Sequence, residues 1–145
     1  MAKQKLIAAL KEALAFELGT ILQYMWHHAM TEGKQSPAIC TLFKEISIAE
    51  MRHAEALAKR IVCLGGTLVT TSAEINMGGN LTKMIQDDLA CERRAIKQYK
   101  AHLKLCDEAN DPMTRRILEN ILEREEEHDA QWSSILTKSL DTFGY

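Results

Sequence analysis

The chain has 145 residues, of which 46% are hydrophobic and 26% charged, and its formal net charge is −2. This length predicts one domain, residues 1–145, built around a single core. The weak negative charge excludes a general attraction to nucleic acid or anionic lipid, and no stretch approaches the roughly 18 consecutive apolar residues of a membrane span. We therefore expect a globular protein that binds neither nucleic acid nor a membrane.

The N-terminal residues and the cysteines both indicate a cytoplasmic protein. Residues 1–10 contain lysines but no uninterrupted apolar core, so they do not resemble a signal peptide. The cysteines form no C-x-x-C pair, which argues against zinc-ribbon and rubredoxin-type sites. They are Cys40, Cys63, Cys91 and Cys106. Because each lies among apolar residues, we expect four buried structural thiols in a reducing cytosol.

Three breaks divide the chain into four long segments. The first break, residues 31–37, ends in Ser36-Pro37, and the third, residues 107–112, ends in Asp111-Pro112. Each pair is a good N-cap residue followed by a proline at the first helical position. The middle break, residues 64–80, is longer and contains two Gly-Gly pairs. The segments between the breaks have apolar residues at helical spacing, which predicts four long amphipathic helices.

The lengths of the breaks predict the topology. The two short breaks make helices 1 and 2, and helices 3 and 4, antiparallel neighbours. The long middle connection can carry the chain along the bundle, and from this we expect helix 3 to start at the end where helix 1 starts. The predicted fold class is all-α: a four-helix bundle of two antiparallel helical hairpins joined by one long crossover.

A set of metal-ligand residue types occurs twice, and the second set follows the first by 75 residues. The six residues are Glu17, Glu50 and His53 in the first half and Glu92, Glu125 and His128 in the second. The midpoint of Glu17 and His53 falls in the first turn, and the midpoint of Glu92 and His128 falls in the second. Each hairpin therefore places its glutamate level with its Glu-x-x-His, and a pseudo-two-fold axis brings all six side chains to one depth.

The shared helix face and the negative charge of these residues indicate their chemistry. Residues three apart share one helix face, so each Glu-x-x-His points two ligands in the same direction. Four carboxylates inside a bundle repel one another unless they are protonated or neutralised, and two divalent cations balance four negative charges. A glutamate from each of two helices with Glu-x-x-His from each of the other two is the pattern of di-iron and di-manganese carboxylate sites. A single Glu-x-x-His is usually a solvated face, but the duplicated set predicts a dinuclear metal site.

Other polar residues lie near the predicted site. Tyr24 and Tyr99 each follow a ligand glutamate by two helical turns. Tyr24 either hydrogen-bonds a ligand carboxylate, or donates an electron during oxygen chemistry, or is a core tyrosine with a satisfied hydroxyl; for Tyr99 we favour the core role. His27 and His102 lie off the ligand face, which favours structural or interface roles, and His28 is not expected to be a ligand.

The segments that carry these residues resemble bacterioferritin, a ferritin-like di-iron carboxylate family. The matching segments are Glu17-Leu18, Gln23-Tyr24, His28-Ala29, residues 47–55 and residues 125–128. The resemblance implies a ferritin-like four-helix bundle in which Glu50 and Glu125 bridge two iron ions. The implied terminal ligands are Glu17, His53, Glu92 and His128. It also implies ferroxidase chemistry, in which two Fe(II) ions bind and reduce dioxygen or hydrogen peroxide.

The resemblance bears on haem and on assembly as well. It implies that Met51 is an axial ligand of haem b, shared by two subunits across a two-fold interface; the alternative is a methionine that packs at a helix interface. Members that form 24-subunit cages usually carry a short fifth helix, and residues 140–145 are too few, and contain a glycine, for that helix. We expect a homo-oligomer that is at least a dimer, with the storage shell in question.

Three functions remain open from the sequence. The first is a ferroxidase with a role in iron homeostasis or storage. The second is a dimeric, non-storage di-metal oxidase or peroxide scavenger. The third is a haem- or metal-binding protein without turnover. The ligand set suits iron and manganese alike.

Overall fold

The computed structural model describes residues 1–34 and 36–138, so the segment 140–145, expected to be too short for a fifth helix, lies outside the described residues. Within the described part the chain forms four α-helices and no strand. They are α1 (Ala2–Thr31), α2 (Pro37–Cys63), α3 (Leu81–Glu108) and α4 (Pro112–Thr137). The predicted all-α bundle is confirmed.

The two prolines begin their helices as predicted, but only one of the preceding residues acts as a side-chain cap. The Asp111 carboxylate accepts a hydrogen bond from the Thr114 backbone N–H at 2.9 Å. It also accepts two bonds from the Arg60 guanidinium, at 3.0 and 3.1 Å, and so joins the end of α2 to the start of α4. Ser36 makes no side-chain cap bond.

The crossover runs the length of the bundle along α1. The Ala73 N–H donates to the Ala15 carbonyl oxygen at 2.9 Å, and the Asn76 N–H donates to Oε1 of Gln23 at 3.0 Å. The crossover therefore runs from the end of the bundle where α1 begins towards the end where α1 ends. The expectation that α3 starts where α1 starts was therefore wrong. Because α2 already returns the chain to the start of α1, a connection that spans the bundle must deliver it to the opposite end.

As a consequence α1 and α3 are antiparallel. Gln23 bonds to Asp88 near the start of α3, whereas Glu17 bonds to Tyr99 farther along it. The 75-residue repeat is consistent with a two-fold operation that exchanges α1 with α3 and α2 with α4. This operation relates the two halves of the chain in space.

The apolar core has two parts, one on each side of a polar layer. One cluster includes Leu10, Leu57 and Leu118, and the other includes Phe43 and Trp132. The helix positions between these clusters carry the glutamates and histidines of the repeat. The polar layer is thereby shielded from solvent at both ends of the bundle.

The cysteines differ from the expectation in one case. All four are free thiols, and Cys40, Cys91 and Cys106 are buried. Cys63 is exposed, because it is the last residue of α2 and lies where the helix leaves the bundle. The prediction of four buried thiols is wrong at this position. None of the helices described is both long and apolar enough to cross a membrane.

Candidate metal centre

The polar layer buries all six residues of the repeat. Their exposed fractions are 1% for Glu17, 0% for Glu50, 8% for His53, 1% for Glu92, 1% for Glu125 and 3% for His128. Four carboxylates at this depth are strongly unfavourable in the charged form unless cations or protons neutralise them. The burial by itself therefore indicates a site that holds positive charge.

Ligand atoms from these side chains form two groups, and within each group all atoms lie within 4.8 Å of one another. The first group is Glu17, Glu50, His53 and Glu125, and the second is Glu50, Glu92, Glu125 and His128. Glu50 and Glu125 belong to both groups. Two neighbouring cations can therefore share these two carboxylates while each has one further glutamate and one histidine of its own.

The glutamate and histidine side chains lie close together, but not all of their polar atoms are hydrogen-bonded. Nδ1 of His53 lies 2.9 Å from Oε1 of Glu125, and Nδ1 of His128 lies 3.2 Å from Oε1 of Glu50. Within the described part of the chain, these Glu50 and Glu125 oxygens and the His128 nitrogen nevertheless have no hydrogen-bond partner of acceptable geometry. Buried polar atoms are rarely left so. Their chemistry, carboxylate oxygen and imidazole nitrogen, fits divalent iron or manganese.

Three of the carboxyl groups favour the protonated form when no cation is bound, because their pKa values are raised. Burial, followed by the charges of Glu17 and Glu125, raises the pKa of Glu50 well above its usual range. Burial likewise raises the pKa of Glu125 well above its usual range, with Glu17 and Glu92 adding to the effect. Burial also raises the pKa of Glu17, although hydrogen bonds with Glu50 and Tyr99 oppose the shift. Metal ions and protons should therefore compete for this site.

His53 is the most exposed member of the layer and is neutral near pH 7. Burial, and then the neighbouring His128, lowers the pKa of His53 to about 4. A neutral imidazole offers its lone pair to a metal without first losing a proton. A cavity of about 270 Å³ between α2 and α4 is lined by His53 together with Arg52 and Arg124. His53 is therefore the member of the layer that lines this cavity.

Both tyrosines of the repeat contact carboxylates that belong to the two groups. The Tyr24 hydroxyl donates to Oε1 of Glu92 at 2.7 Å, and the Tyr99 hydroxyl donates to Oε1 of Glu17 at 2.6 Å. The hydrogen-bonding role considered for Tyr24 agrees with this geometry. Tyr99 is a fully buried core residue, as favoured, and its hydroxyl is satisfied by Glu17. The repeat indicated this contact, because Tyr99 follows Tyr24 by 75 residues.

One partner of the site was missed by sequence reasoning. Nε1 of Trp132 donates to the Tyr24 hydroxyl oxygen at 2.7 Å, in a fully buried contact. The repeat places Leu57 at the position that corresponds to Trp132, so the duplicated pattern contains no signal for this contact. The two tyrosines therefore have different surroundings.

The remaining histidines lie outside both ligand groups. Nδ1 of His27 is 2.9 Å from the Asp88 carboxylate, and Nδ1 of His28 donates to the Cys40 carbonyl oxygen at 2.8 Å. His102 is also buried, against the ring of Tyr99. The contact of His27 agrees with the structural role expected for it; the roles of His102 and His28 stay predictions.

Met51 lies away from the ligand groups on the surface of α2. Its side chain is 55% exposed, and Ile48, one turn earlier, is 37% exposed. A methionine that served only to pack the bundle interior would be buried. The exposed thioether is instead available to a second molecule.

The match to known proteins decides the family. The model of the ferritin-like domain family matches residues 7–140. The chain belongs to the ferritin-like family. This ferritin-like chain is 35% identical to a bacterioferritin of Desulfovibrio desulfuricans over 134 residues, which cover 92% of this chain and 75% of that protein. It is 30% identical to a bacterial ferritin of Neisseria meningitidis serogroup B over 142 residues, which cover 97% and 92% of the two chains.

Solved structures agree with the sequence relatives. The bacterioferritin BfrA of Mycobacterium tuberculosis superposes on the ferritin-like chain with a TM-score of 0.90 and 28% identity, covering 96% of this chain and 87% of that chain. A bacterioferritin of Rhodobacter capsulatus, described with a metal-free dinuclear site and haem iron in a crystallographic special position, gives a TM-score of 0.89, 29% identity and coverages of 92% and 84%. The predicted resemblance to bacterioferritin is confirmed.

Proposed function

We propose that this protein is a ferroxidase of the bacterioferritin type that binds two Fe(II) ions and oxidises them with dioxygen or hydrogen peroxide, in the service of iron homeostasis and storage. The observation that carries the proposal is the pair of buried ligand groups that share Glu50 and Glu125. The ferritin-like family membership supports the same assignment.

The grouping of the ligand atoms suggests a role for each side chain. Glu50 and Glu125 are proposed as bridging ligands because each belongs to both groups. The terminal ligands are then Glu17 and His53 for one ion and Glu92 and His128 for the other. Carboxylate and imidazole suit Fe(II) and Fe(III), and also manganese, so iron is proposed from the relatives and not from the ligand set.

The bound ions supply electrons. Each Fe(II) gives up one electron, so two ions together supply the two electrons that reduce dioxygen to peroxide or hydrogen peroxide to water. The side chains of the protein position the ions and exclude bulk water. Glu50 and Glu125 hold the ions adjacent, and the tyrosine hydroxyls fix the orientation of the terminal carboxylates of Glu17 and Glu92. The apolar clusters at both ends exclude bulk water from the layer.

The experiment is Fe(II) binding without oxygen, followed by rapid mixing with dioxygen or hydrogen peroxide. We expect two Fe(II) ions per chain and fast oxidation in the wild type. Glu50→Gln keeps the size of the side chain but removes its charge, and its oxidation rate should fall by at least the roughly 10–100-fold loss seen when a ligand's hydrogen-bonding partner is removed. Glu126→Gln is the matched control, because Glu126 is an exposed neighbour of the Glu125 motif. Wild-type oxidation in Glu50→Gln would contradict the proposal.

Two alternatives predict other outcomes of the same experiment. A metal-binding protein without turnover binds two ions tightly but consumes no oxidant. A small dimeric di-metal oxidase or peroxide scavenger turns over but has a mass in solution near two chains and accumulates no mineral. Sedimentation of the iron-loaded protein separates this last case from a 24-subunit store.

Haem b is proposed as a second cofactor, and the exposed thioether of Met51 favours it. Thioether sulfur is an established ligand of haem iron, and in a symmetric dimer the Met51 residues of the two subunits would hold one haem between them. After reconstitution we expect a Soret band corresponding to one haem for each pair of chains. Met51→Leu should abolish it, whereas Met113→Leu, which alters a methionine that is 58% exposed, should not. A Soret band retained in Met51→Leu would rule out this ligand.

A further inference from the structure

The first half of the repeat contains a buried receptor for a carboxylate. Nε2 of Gln23 donates to Oδ1 of Asp88 at 2.8 Å, and Nδ1 of His27 lies 2.9 Å from Oδ2 of the same side chain. Asp88 and His27 are fully buried and Gln23 is 1% exposed. The amide and the imidazole thus hold one carboxylate at both of its oxygens, which is a favourable way to bury a negative charge.

The second half contains the same receptor without its carboxylate. The repeat relates Gln23 to Gln98 and His27 to His102, but it relates Asp88 to Ala13. Oε1 of Gln98 and Nδ1 of His102 are buried and have no hydrogen-bond partner among residues 1–34 and 36–138. The unpartnered atom of His102 is the same ring nitrogen that His27 uses to contact Asp88. His102 is 6% exposed, so this is a buried group that lacks its partner.

The crossover explains why only the second receptor is open. The Asn76 N–H covers the first receptor by donating to Oε1 of Gln23. At the second receptor, Gln98 and His102 line a cavity of about 510 Å³ between α1 and α3, and Ala73 is the residue of the crossover that lines it. Most of the remaining wall is apolar and includes Phe16.

The charges around this cavity favour an anion. Arg94 and Lys97 line it, and neither makes an ion pair with a carboxylate of the described part of the chain. The guanidinium of Arg94 lies over the ring of Phe16, 5.8 Å from its centroid. Glu12 is the one acidic residue in the lining. Two cations against one carboxylate leave the cavity with an excess of positive charge.

We propose that this cavity binds a small amphipathic carboxylate, whose carboxyl group takes the place that Asp88 occupies in the first receptor. His102 and Gln98 bind the carboxyl group, and the apolar body lies against Phe16 and the neighbouring alanines. Rotation of the Gln98 amide by half a turn exchanges its oxygen and nitrogen, so this side chain can present a donor as Gln23 does. The proposal does not depend on the ferroxidase assignment, because none of these residues belongs to the ligand groups.

Octanoate is the probe, with 1-octanol as its uncharged counterpart. Calorimetric titration of the full-length protein should show saturable octanoate binding and no comparable binding of octanol. His102→Ala should weaken octanoate binding by roughly tenfold or more, the effect of losing a charge-assisted hydrogen bond. Lys104→Ala is the control, since Lys104 is an exposed cation of the same helix that does not line the cavity. Octanol binding as tight as octanoate, or an unchanged affinity in His102→Ala, would overturn the proposal.

A second variant and a spectroscopic measurement test the site even if a substitution prevents folding. Ala13→Asp supplies the missing carboxylate from within the chain and should block octanoate. If Ala13→Asp does not fold, the NMR signals of the His102 imidazole in the wild type test octanoate binding instead. Burial lowers the pKa of His102, and a bound carboxylate should raise it again. A His102 signal unmoved by saturating octanoate, or octanoate binding unchanged in a folded Ala13→Asp, would refute the site.

Discussion

Tyr99 donates its hydroxyl hydrogen to Glu17 at 2.6 Å, a buried contact between residues 82 positions apart in the chain. The two-fold relation between the halves repeats the contact as Tyr24 with Glu92 at 2.7 Å. Each tyrosine of one half therefore orients a carboxylate of the other half that we propose as a terminal ligand. The halves are coupled at the centre of the bundle by these two bonds, and within the described residues only the bond of Tyr24 is extended, by Trp132.

This asymmetry predicts unequal effects of removing the two hydroxyls. Tyr99→Phe leaves one oxygen of Glu17 without its partner, whereas Tyr24→Phe leaves both a Glu92 oxygen and the Trp132 N–H unsatisfied in the interior. Each buried unsatisfied group costs about 1–3 kcal/mol, so Tyr24→Phe should destabilise the metal-free protein by about 1 kcal/mol more than Tyr99→Phe. Urea denaturation of the two variants with EDTA present measures the difference. Equal losses would mean that the Trp132 contact contributes no stability.

Removal of metal should make stability depend on pH in a defined direction. In the folded, metal-free protein, burial and neighbouring carboxylates raise the pKa of Glu50 and of Glu125 well above the usual range. A carboxyl group whose pKa is raised in the folded state stabilises the fold below its unfolded pKa. That contribution is lost as the pH rises through the folded value. The metal-free protein should therefore lose stability as the pH increases.

The Glu50→Gln variant separates this effect from other titrations between about pH 7 and about pH 9. Burial raises the pKa of Asp88 to about 6 and lowers the pKa of His53 to about 4, so most of their titration lies below this range. Burial raises the pKa of Cys91 and of Cys106 to about 11, which adds a loss of stability that the wild type and the variant share. We expect Tm in EDTA to fall across the range and Tm with Mn(II) to stay nearly level. Glu50→Gln should reduce the fall in EDTA. A level or rising Tm for the metal-free wild type would contradict the prediction.

The sequence predicted the parts of the site that depend on regular spacing. The repeat placed Glu17 level with His53, because a hairpin of straight helices converts chain distance into height. The repeat did not predict the contact of Trp132 with Tyr24, because Leu57 occupies the position that corresponds to Trp132. The direction of α3 was mistaken although the long crossover already implied it. Exposure of Cys63 depends on where α2 ends at the surface, which local composition does not encode.

The two helix starts that contain proline should respond differently to loss of the preceding side chain. Asp111 caps α4, accepts from the Thr114 hydroxyl at 2.6 Å and pairs with Arg60. Ser36 precedes Pro37 but makes no side-chain cap bond. Asp111→Ala should therefore cost about 1–2 kcal/mol, the usual range for a lost cap, and Ser36→Ala, as its control, only a few tenths. Thermal or urea unfolding of both variants measures the contrast, and similar losses would contradict it.

Gly19 should resist substitution even though it lies inside α1. Alanine is favoured over glycine in a helix interior by about 1 kcal/mol, so helix propensity alone predicts that Gly19→Ala stabilises the protein. A Cβ at this position, however, would lie 2.9 Å from the Ala73 carbonyl oxygen, which is backbone and cannot rotate away. The crossover would have to move, and its bonds from Ala73 and Asn76 to α1 would weaken. We therefore expect a net loss of stability in Gly19→Ala, with faster amide hydrogen exchange at Ala73 and Asn76. A stabilised variant with unchanged exchange at these two amides would show that the crossover does not depend on the close approach at Gly19.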